Sequence, residues 1–241
     1  MRELEQGSGK VQHHDTVTRL LRPEATLQQY SNAQLDDYSP HQAPVTLTLR
    51  ARFSHNADRL KGTAGFGFWN APFAPGSTRL RFPKTAWFFF GSPPLNLPLA
   101  MDVPGNGFKM ATLDATHWQF FTLLPTAPIG FLLTRHPKLY RLLWSIGQRA
   151  IRASEAPLNL DMRELHEYQV DWQRDQVRFV VDGNLLHTSP YSPTGQMGIV
   201  IWIDNQYAIA TPQGKFGWGL VTADEPQWLE IQELRIGSSI E

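Results

Sequence analysis

The chain has 241 residues, of which 41% are hydrophobic and 12% aromatic, enough apolar material to fill the core of one large domain. Its 22 basic and 22 acidic residues cancel, so no overall field favours a nucleic acid as partner. Because there is no cysteine, no apolar leader and no apolar run of about 18 residues, we expect a cytoplasmic protein without a transmembrane segment.

The first ninety residues predict a polar tail followed by strands. Residues 1–18 are polar, and we expect a flexible tail ahead of a single domain that covers residues 19–241. Residues 45–54, VTLTLRARFS, alternate apolar and polar side chains, which predicts a strand buried on one face. Residues 62–70, GTAGFGFWN, predict a strand whose glycines allow another group to approach closely. In the strand predicted for residues 85–94, TAWFFFGSPP, four consecutive aromatic residues make both faces apolar.

A helical spacing of apolar residues interrupts this pattern in the middle of the chain. Leu139, Leu142 and Ile146 recur at the period of a helix, with basic residues on its other faces. This spacing predicts a helical insertion around residues 136–153, within a longer excursion from 120 to 155. Three roles remain open for it: a helix packed on the sandwich, a lid over a cleft, or a basic amphipathic helix that contacts a membrane surface.

The second half of the chain predicts consecutive hairpins. Residues 167–172 and 177–189 are strands separated by a four-residue turn, and the step from Asp182 to Gly183 opens a second tight turn. The remaining predicted strands are residues 196–204 and 227–236.

The segment LDMRELHEYQVDWQRDQVRFVVDGNLLHTSP, residues 160–190, resembles a hairpin segment of glycoside hydrolase family 16 that reads, loosely, F-H-x-Y-x-V-x-W-x-x-x-x-I-x-F-x-V-D-G. The stretches KGTAGFGFWNAPF, GQMGIVIWIDNQYA and WLEIQELRI resemble neighbouring strands of that family. The resemblance implies an all-β fold, a two-sheet antiparallel jelly-roll sandwich of the concanavalin A-like lectin and glucanase superfamily. It also implies a ligand cleft on the concave face of one sheet.

The resemblance does not extend to the catalytic residues of that family. Its members carry Glu-x-Asp-x-x-Glu on the strand that follows the Gly-aromatic-Trp strand, where two carboxylates serve as nucleophile and proton donor. The corresponding segment here, TAWFFFGSPP, has no acidic residue, and none occurs between Asp58 and Asp102. Retaining glycosidases need two carboxyl groups roughly 5 Å apart. We therefore predict that the chain lacks the catalytic motif and is not a glycosidase of the family-16 type.

Strand alternation then selects the candidate binding residues. In GIVIWIDN, the three isoleucines share the face expected to form the core, whereas Trp202 and Asp204 share the concave face. One alternate pair of the aromatic strand must lie on the concave face with Trp202 and Asp204. This pair is either Trp87 with Phe89 or Phe88 with Phe90. The candidate ligand-binding residues are Trp69, Trp87, Phe89, Trp202 and Asn205.

Asp204 and His117 are the candidate catalytic residues. A histidine on the strand expected around residue 117 could form an acid–base pair with Asp204, since its ordinary pKa is near neutrality. Structural roles stay open for both, because Asp204 could end its strand in a DNQ turn. No metal-binding spacing and no cofactor motif is present, so we expect neither a metal nor a cofactor.

Two functions fit these residues. The favoured one is binding of a hydrophobic or amphiphilic small molecule in an aromatic concave cleft, with isomerisation or cyclisation in a biosynthetic pathway as its chemistry. Whether the protein is an enzyme stays open; an acid–base isomerase, cyclase or lyase is then expected rather than a retaining glycosidase. The alternative is a non-catalytic, lectin-like module that binds a glycan.

Overall fold

A computed structural model describes residues 1–71 and 82–237 of the chain. The strands, in chain order, are β1 (Arg2–Gln6), β2 (Lys10–His14), β3 (Val17–Arg22), β4 (Asn32–His41), β5 (Val45–Phe53), β6 (Thr63–Trp69), β7 (Lys84–Gly91), β8 (Gly107–Asp114), β9 (Ser154–Pro157), β10 (His166–Trp172), β11 (Val177–Val181), β12 (Asn184–Ser189), β13 (Met197–Asp204), β14 (Gln206–Ala210), β15 (Phe216–Leu220) and β16 (Gln227–Gly237). The helices are α1 (Trp118–Leu123), α2 (Ala127–Leu133) and α3 (Pro137–Ala150), with a 3-10 turn, Leu124–Thr126, between the first two.

The strands form two seven-stranded sheets. Sheet A has the order β1-β4-β13-β6-β7-β8-β9, and sheet B has the order β12-β11-β10-β5-β16-β3-β2. Neighbouring strands are antiparallel in both, and β14 pairs with β15 in a separate hairpin. The two sheets stack face to face, which confirms the predicted two-sheet antiparallel sandwich.

The core between the sheets consists of aromatic and branched aliphatic side chains. The isoleucines of β13 are fully buried there, as strand alternation predicts. Phe88 of β7 is also fully buried, with its ring centroid 5.0 Å from that of Tyr168 and 5.4 Å from that of Phe179 in sheet B. Because Phe88 faces the core, its neighbours Trp87 and Phe89 must face the opposite side of sheet A.

The N-terminal residues are ordered, which differs from the flexible tail expected for residues 1–18. They form β1, β2 and the start of β3; β1 pairs with β4 at the edge of sheet A, and β2 pairs with β3 at the edge of sheet B. Edge strands expose most of their side chains, so their polar sequence reflects their position in the sheets.

Residues 115–153, between β8 and β9, form what we call the helical segment. Its helix α3 confirms the helix expected around residues 136–153, and two shorter helices precede it. Proline lies in the first turn of α2 and of α3, where its missing N–H costs nothing, so the prolines begin helices here. In the part of the chain that the structure describes, none of the helices has the length and apolar character to cross a bilayer.

Candidate functional site

Four aromatic side chains form a continuous cluster on the outer face of sheet A, the face turned away from sheet B. They are Trp69, Trp87, Phe89 and Trp202, which we call the aromatic platform. Ring centroids lie 6.0 Å apart between Trp69 and Trp87, 5.4 Å between Trp87 and Phe89, and 5.2 Å between Trp87 and Trp202. Trp202 is 7% exposed and the other three are partly exposed, so the platform presents ring surface to the outside.

Glycines of β6 make room for the platform. Gly65 lies between Trp202 and Phe89 in the register of the sheet. A Cβ atom at Gly65 would lie 2.9 Å from Cη2 of Trp202, too close for van der Waals contact. The close approach predicted from the glycines is therefore made, at this position, by a tryptophan ring of the protein itself.

Asp204 lies at the end of β13 beside the platform, 1% exposed. Its Oδ1 accepts hydrogen bonds from Thr63 Oγ1 at 2.7 Å and from the backbone N–H of Gln206 at 3.2 Å, and its Oδ2 accepts one from the hydroxyl of Tyr30 at 3.2 Å. Burial raises the pKa of Asp204 to about 6, although these hydrogen bonds and the charge of Arg22 act in the opposite direction. A carboxyl group titrating near neutrality is chemically capable of acid–base work, but both oxygens are occupied within the protein.

The polar groups around Asp204 also make their hydrogen bonds within the protein. Burial lowers the pKa of Arg22 to about 10, and its guanidinium donates to the backbone carbonyl of Asp204 and to the side chain of Gln227. Thr63 Oγ1 accepts a hydrogen bond from the indole N–H of Trp202 at 2.9 Å, which fixes that ring on the platform. This polar cluster joins four strands, β3, β6, β13 and β16, and orients one ring of the platform.

Asn205, a candidate ligand-binding residue, is fully buried. Its Nδ2 donates to the carbonyl oxygens of Thr26 and Gln29 at 3.0 Å each, and its Oδ1 accepts from the backbone N–H of Ser31 at 2.8 Å. The amide thus holds the loop before β4 in place, and in this structure it has no group left for a ligand.

His117 does not lie on a strand, contrary to the sequence-based expectation. It is the N-cap residue of α1, and the strand preceding it, β8, ends at Asp114. Among the described residues, no hydrogen bond or ion pair joins His117 to Asp204, whose side-chain partners are given above. The structure does not bring the two candidate catalytic residues together.

A buried ion pair at the other side of the platform was missed by sequence reasoning. Lys109 of β8 and Glu155 of β9 are 2% and 7% exposed, and Lys109 Nζ lies 3.0 Å from Glu155 Oε2. Glu155 Oε1 accepts the backbone N–H groups of Leu99 and Ala100, so the pair also anchors the loop that follows β7. Burial raises the pKa of Glu155, and the charge of Lys109 opposes that shift. The signal available in the sequence was a lone lysine within an apolar strand.

The helical segment connects the two ends of this face. At the end of sheet A where β7 begins, Phe82 packs on Phe120 with ring centroids 5.1 Å apart. Farther along, Phe131 of α2 packs on Phe216 of the β14–β15 hairpin at 5.5 Å, and this hairpin follows the opposite end of β13. The segment therefore bridges both ends of the platform's sheet.

The carboxylates on the outer face are widely separated. Asp204 and Glu155 are four strands apart and offset by four residues along the sheet, roughly 23 Å at the usual spacings. Asp36, on β4, lies four residues along the sheet from the Asp204 row, roughly 13 Å. Neither separation fits the carboxyl pair of a glycosidase, which is about 5–5.5 Å in retaining and about 6.5–9.5 Å in inverting enzymes. Within residues 1–71 and 82–237, no cluster of three or more His, Cys, Asp or Glu could hold a metal ion.

Comparison with known proteins supports the same fold. The sequence profile of glycosyl hydrolases family 16 matches residues 141–218. The resemblance to family 16 is confirmed. A search of curated protein sequences gives no significant match.

Three solved structures illustrate the likeness. A prokaryotic β-1,3-1,4-glucanase (lichenase) from a mouse hindgut metagenome is 12% identical, with a TM-score of 0.52 over 95% of this chain and 83% of its own. An apo Crh5 transglycosylase is 11% identical, with a TM-score of 0.51 over 98% and 78%. A laminarinase from Flavobacterium sp. UMI-01 is 13% identical, with a TM-score of 0.50 over 94% and 80%. At these identities the comparisons establish the jelly-roll fold and nothing more specific.

Proposed function

We propose that the protein binds an apolar or amphiphilic small molecule on the aromatic platform. The observation that carries this proposal is the composition of the outer face around Trp87. The rings offer apolar surface, while polar side chains beside them, such as Asp204, Lys109 and Gln34, are already paired within the protein. Sites of this kind are lined mainly by apolar and aromatic groups, with few polar ones.

The chain's own residues support binding more strongly than they support a reaction. A catalytic role for Asp204 in isomerisation or cyclisation would require one of its oxygens to leave Thr63 or Tyr30 for the ligand. A glycosidase reaction of the family-16 type would require an acidic residue on β7, and Lys84–Gly91 contains none. The proposal is therefore limited to binding.

A second candidate function is binding of a glycan without catalysis. Trp87 and Phe89 are stacked at an interplanar angle of 24° on the outer face, and such rings can cover the apolar face of a sugar. The profile match to family 16 is consistent with this alternative. Against it, sugar sites need several hydrogen-bonding groups beside the ring, and those near the platform are occupied.

The test is a thermal-shift screen of the purified chain against two panels, lipophilic polycyclic compounds and soluble β-glucans. A ligand at 100 times its dissociation constant adds about 2.7 kcal/mol, which corresponds to a rise in Tm of roughly 5–10 °C for a domain of this size. Trp87→Ala should abolish the shift. Trp228→Ala is the matched control, because Trp228 is a partly buried tryptophan that packs on Arg19 and Arg52 in sheet B.

The outcomes separate the two functions. A shift with lipophiles that Trp87→Ala removes and Trp228→Ala preserves supports the proposal. A shift with β-glucans alone replaces it with glycan binding. Lipophile binding that survives in Trp87→Ala, with the variant folded, places the ligand away from the platform and overturns the proposal.

A further inference from the structure

Exposed apolar side chains concentrate in two neighbouring parts of the molecule. Among residues 1–71 and 82–237, sixteen large hydrophobic residues are exposed, and ten of them lie in the helical segment and in the β14–β15 hairpin, residues 206–220. They are Trp118, Phe121, Leu124, Ile129, Leu132, Leu133, Leu142, Ile146, Phe216 and Trp218. The packing of Phe131 on Phe216 and the hydrogen bond from Thr134 Oγ1 to the carbonyl of Pro212 hold the two parts together. We call this combined region the docking surface.

The docking surface also has a charge that the rest of the chain lacks. Residues 115–153 and 206–220 contain six basic and no acidic residues. The remaining residues contain 16 basic and 22 acidic residues. A chain that is neutral overall is therefore polarised, with its positive charge on the region that exposes the most apolar surface. Scattered apolar residues on a surface are ordinary, but a contiguous patch marks an interaction site.

Helix α3 shows how the two properties are combined. Leu142 and Ile146 lie one turn apart and are 61% and 43% exposed. Lys138, Arg141 and Arg149 lie on the adjacent stripe of the helix, and all three are exposed. An apolar stripe flanked by basic side chains is the pattern of a helix that lies in the interface of a membrane.

A groove between α1 and α3 adds a second feature. Its volume is about 360 Å³, and it is lined by apolar atoms of Trp118, Leu123 and Ile146 with Arg149 at its border. Trp118 is 65% exposed. Tryptophan and arginine are residues favoured at the level of lipid headgroups, where an apolar body meets a polar layer.

We propose that the docking surface binds the surface of a membrane that contains anionic phospholipids. The apolar residues would enter the boundary between headgroups and acyl chains, and the exposed basic residues, such as Lys138, Arg149 and Lys215, would face the lipid phosphates. A second copy of this chain is the less favourable occupant, because it would bring two surfaces of net positive charge together. Asp102, 3.9 Å from Arg141, offsets only one of these charges in each copy. This proposal does not depend on the ligand of the aromatic platform.

The test is co-sedimentation of the purified chain with phosphatidylcholine vesicles, with and without phosphatidylserine. We expect binding only to the vesicles that contain phosphatidylserine, and a loss of binding as salt rises. Lys138→Gln/Arg141→Gln should lower the partition coefficient about 30-fold, since each basic residue near an anionic surface contributes about 1 kcal/mol, roughly fivefold.

The apolar contribution is tested separately. Leu142→Gln/Ile146→Gln should weaken vesicle binding by at least about tenfold, because two side chains no longer enter the interface. Leu185→Gln/Leu186→Gln is the matched control: these residues are 49% and 47% exposed on β12, in the other sheet, and should not affect binding.

Three results would overturn the proposal. The first is a wild-type chain that stays in solution with both kinds of vesicle. The second is equal weakening by the α3 and β12 variants, which would show nonspecific adsorption. The third is a wild-type dimer that the α3 variants convert to a monomer, with no vesicle binding, which would make the docking surface a contact between copies. Circular dichroism of every variant verifies that a loss of binding is not a loss of folding.

Discussion

The buried carboxyl of Asp204 gives the structure a specific dependence on pH. Its pKa is raised from 3.8 to about 6 in the folded protein, because burial disfavours the charged form. The unfolded chain therefore releases this proton at lower pH than the folded chain does. The contribution of Asp204 to stability is largely present below about pH 4, falls as pH rises through the folded pKa of about 6, and is gone by about pH 7. At 1.36 kcal/mol per pKa unit, the loss is about 3 kcal/mol.

The perturbation that isolates this term is Asp204→Asn, which keeps the shape and an acceptor for Thr63 but has no proton to release. We would measure the free energy of unfolding in urea for both proteins between pH 4 and pH 7. The wild-type value minus the variant value should fall by about 2.5 kcal/mol across that range, most of the total. The exposed Asp175→Asn serves as the control for the removal of one carboxyl group.

A difference that stays constant from pH 4 to pH 7 would refute this account. It would mean that Asp204 is already ionised at pH 4, with Arg22 and the hydrogen bonds from Thr63 and Gln206 outweighing the cost of burial. A difference that grows with pH would have the same meaning.

Two further predictions test the burial of individual side chains, first in β7 and then in the Lys109–Glu155 ion pair. Phe88→Ala empties a fully buried position and should cost about 3–5 kcal/mol in urea unfolding, whereas Phe89→Ala on the outer face should cost clearly less; equal costs would contradict the assignment of faces. Lys109→Met leaves Glu155 buried without its partner and should cost about 3–5 kcal/mol. Lys109→Met/Glu155→Gln should recover part of this cost, because Gln removes the buried charge and keeps an acceptor for the backbone N–H groups of Leu99 and Ala100. A double variant no more stable than the single one would contradict the ion-pair explanation.

Strict alternation made the centre of the sandwich predictable. In β13, isoleucine at every second position leaves only one way to orient the strand against sheet B, and the structure has that orientation. In β7, alternation alone left two possibilities, because both faces are aromatic. The burial of Phe88 and the partial exposure of Trp87 decide between them, and this depends on the second sheet rather than on β7 itself.

The periphery was harder to predict, for a different reason. Polar residues in β1 and β2 resemble those of a disordered tail, because an edge strand and a tail both face water. The position of His117 depends on where β8 ends, and strand ends are set by tertiary contacts. Asn205 makes its side-chain hydrogen bonds to a loop more than 170 positions earlier in the chain. No local sequence pattern encodes such a contact.

The two proposals meet in the helical segment. Its Phe120 and Phe131 contact residues at the two ends of sheet A, while Leu142 and Ile146 are exposed to the surroundings. A segment built only to pack on the sandwich would have no use for exposed leucine and isoleucine beside basic side chains. In the docking that we propose, a membrane would contact these side chains and would hold a store of apolar molecules next to the helical segment. A lipophilic ligand could then reach Trp87 from the bilayer, whereas a soluble glycan would gain nothing from this arrangement.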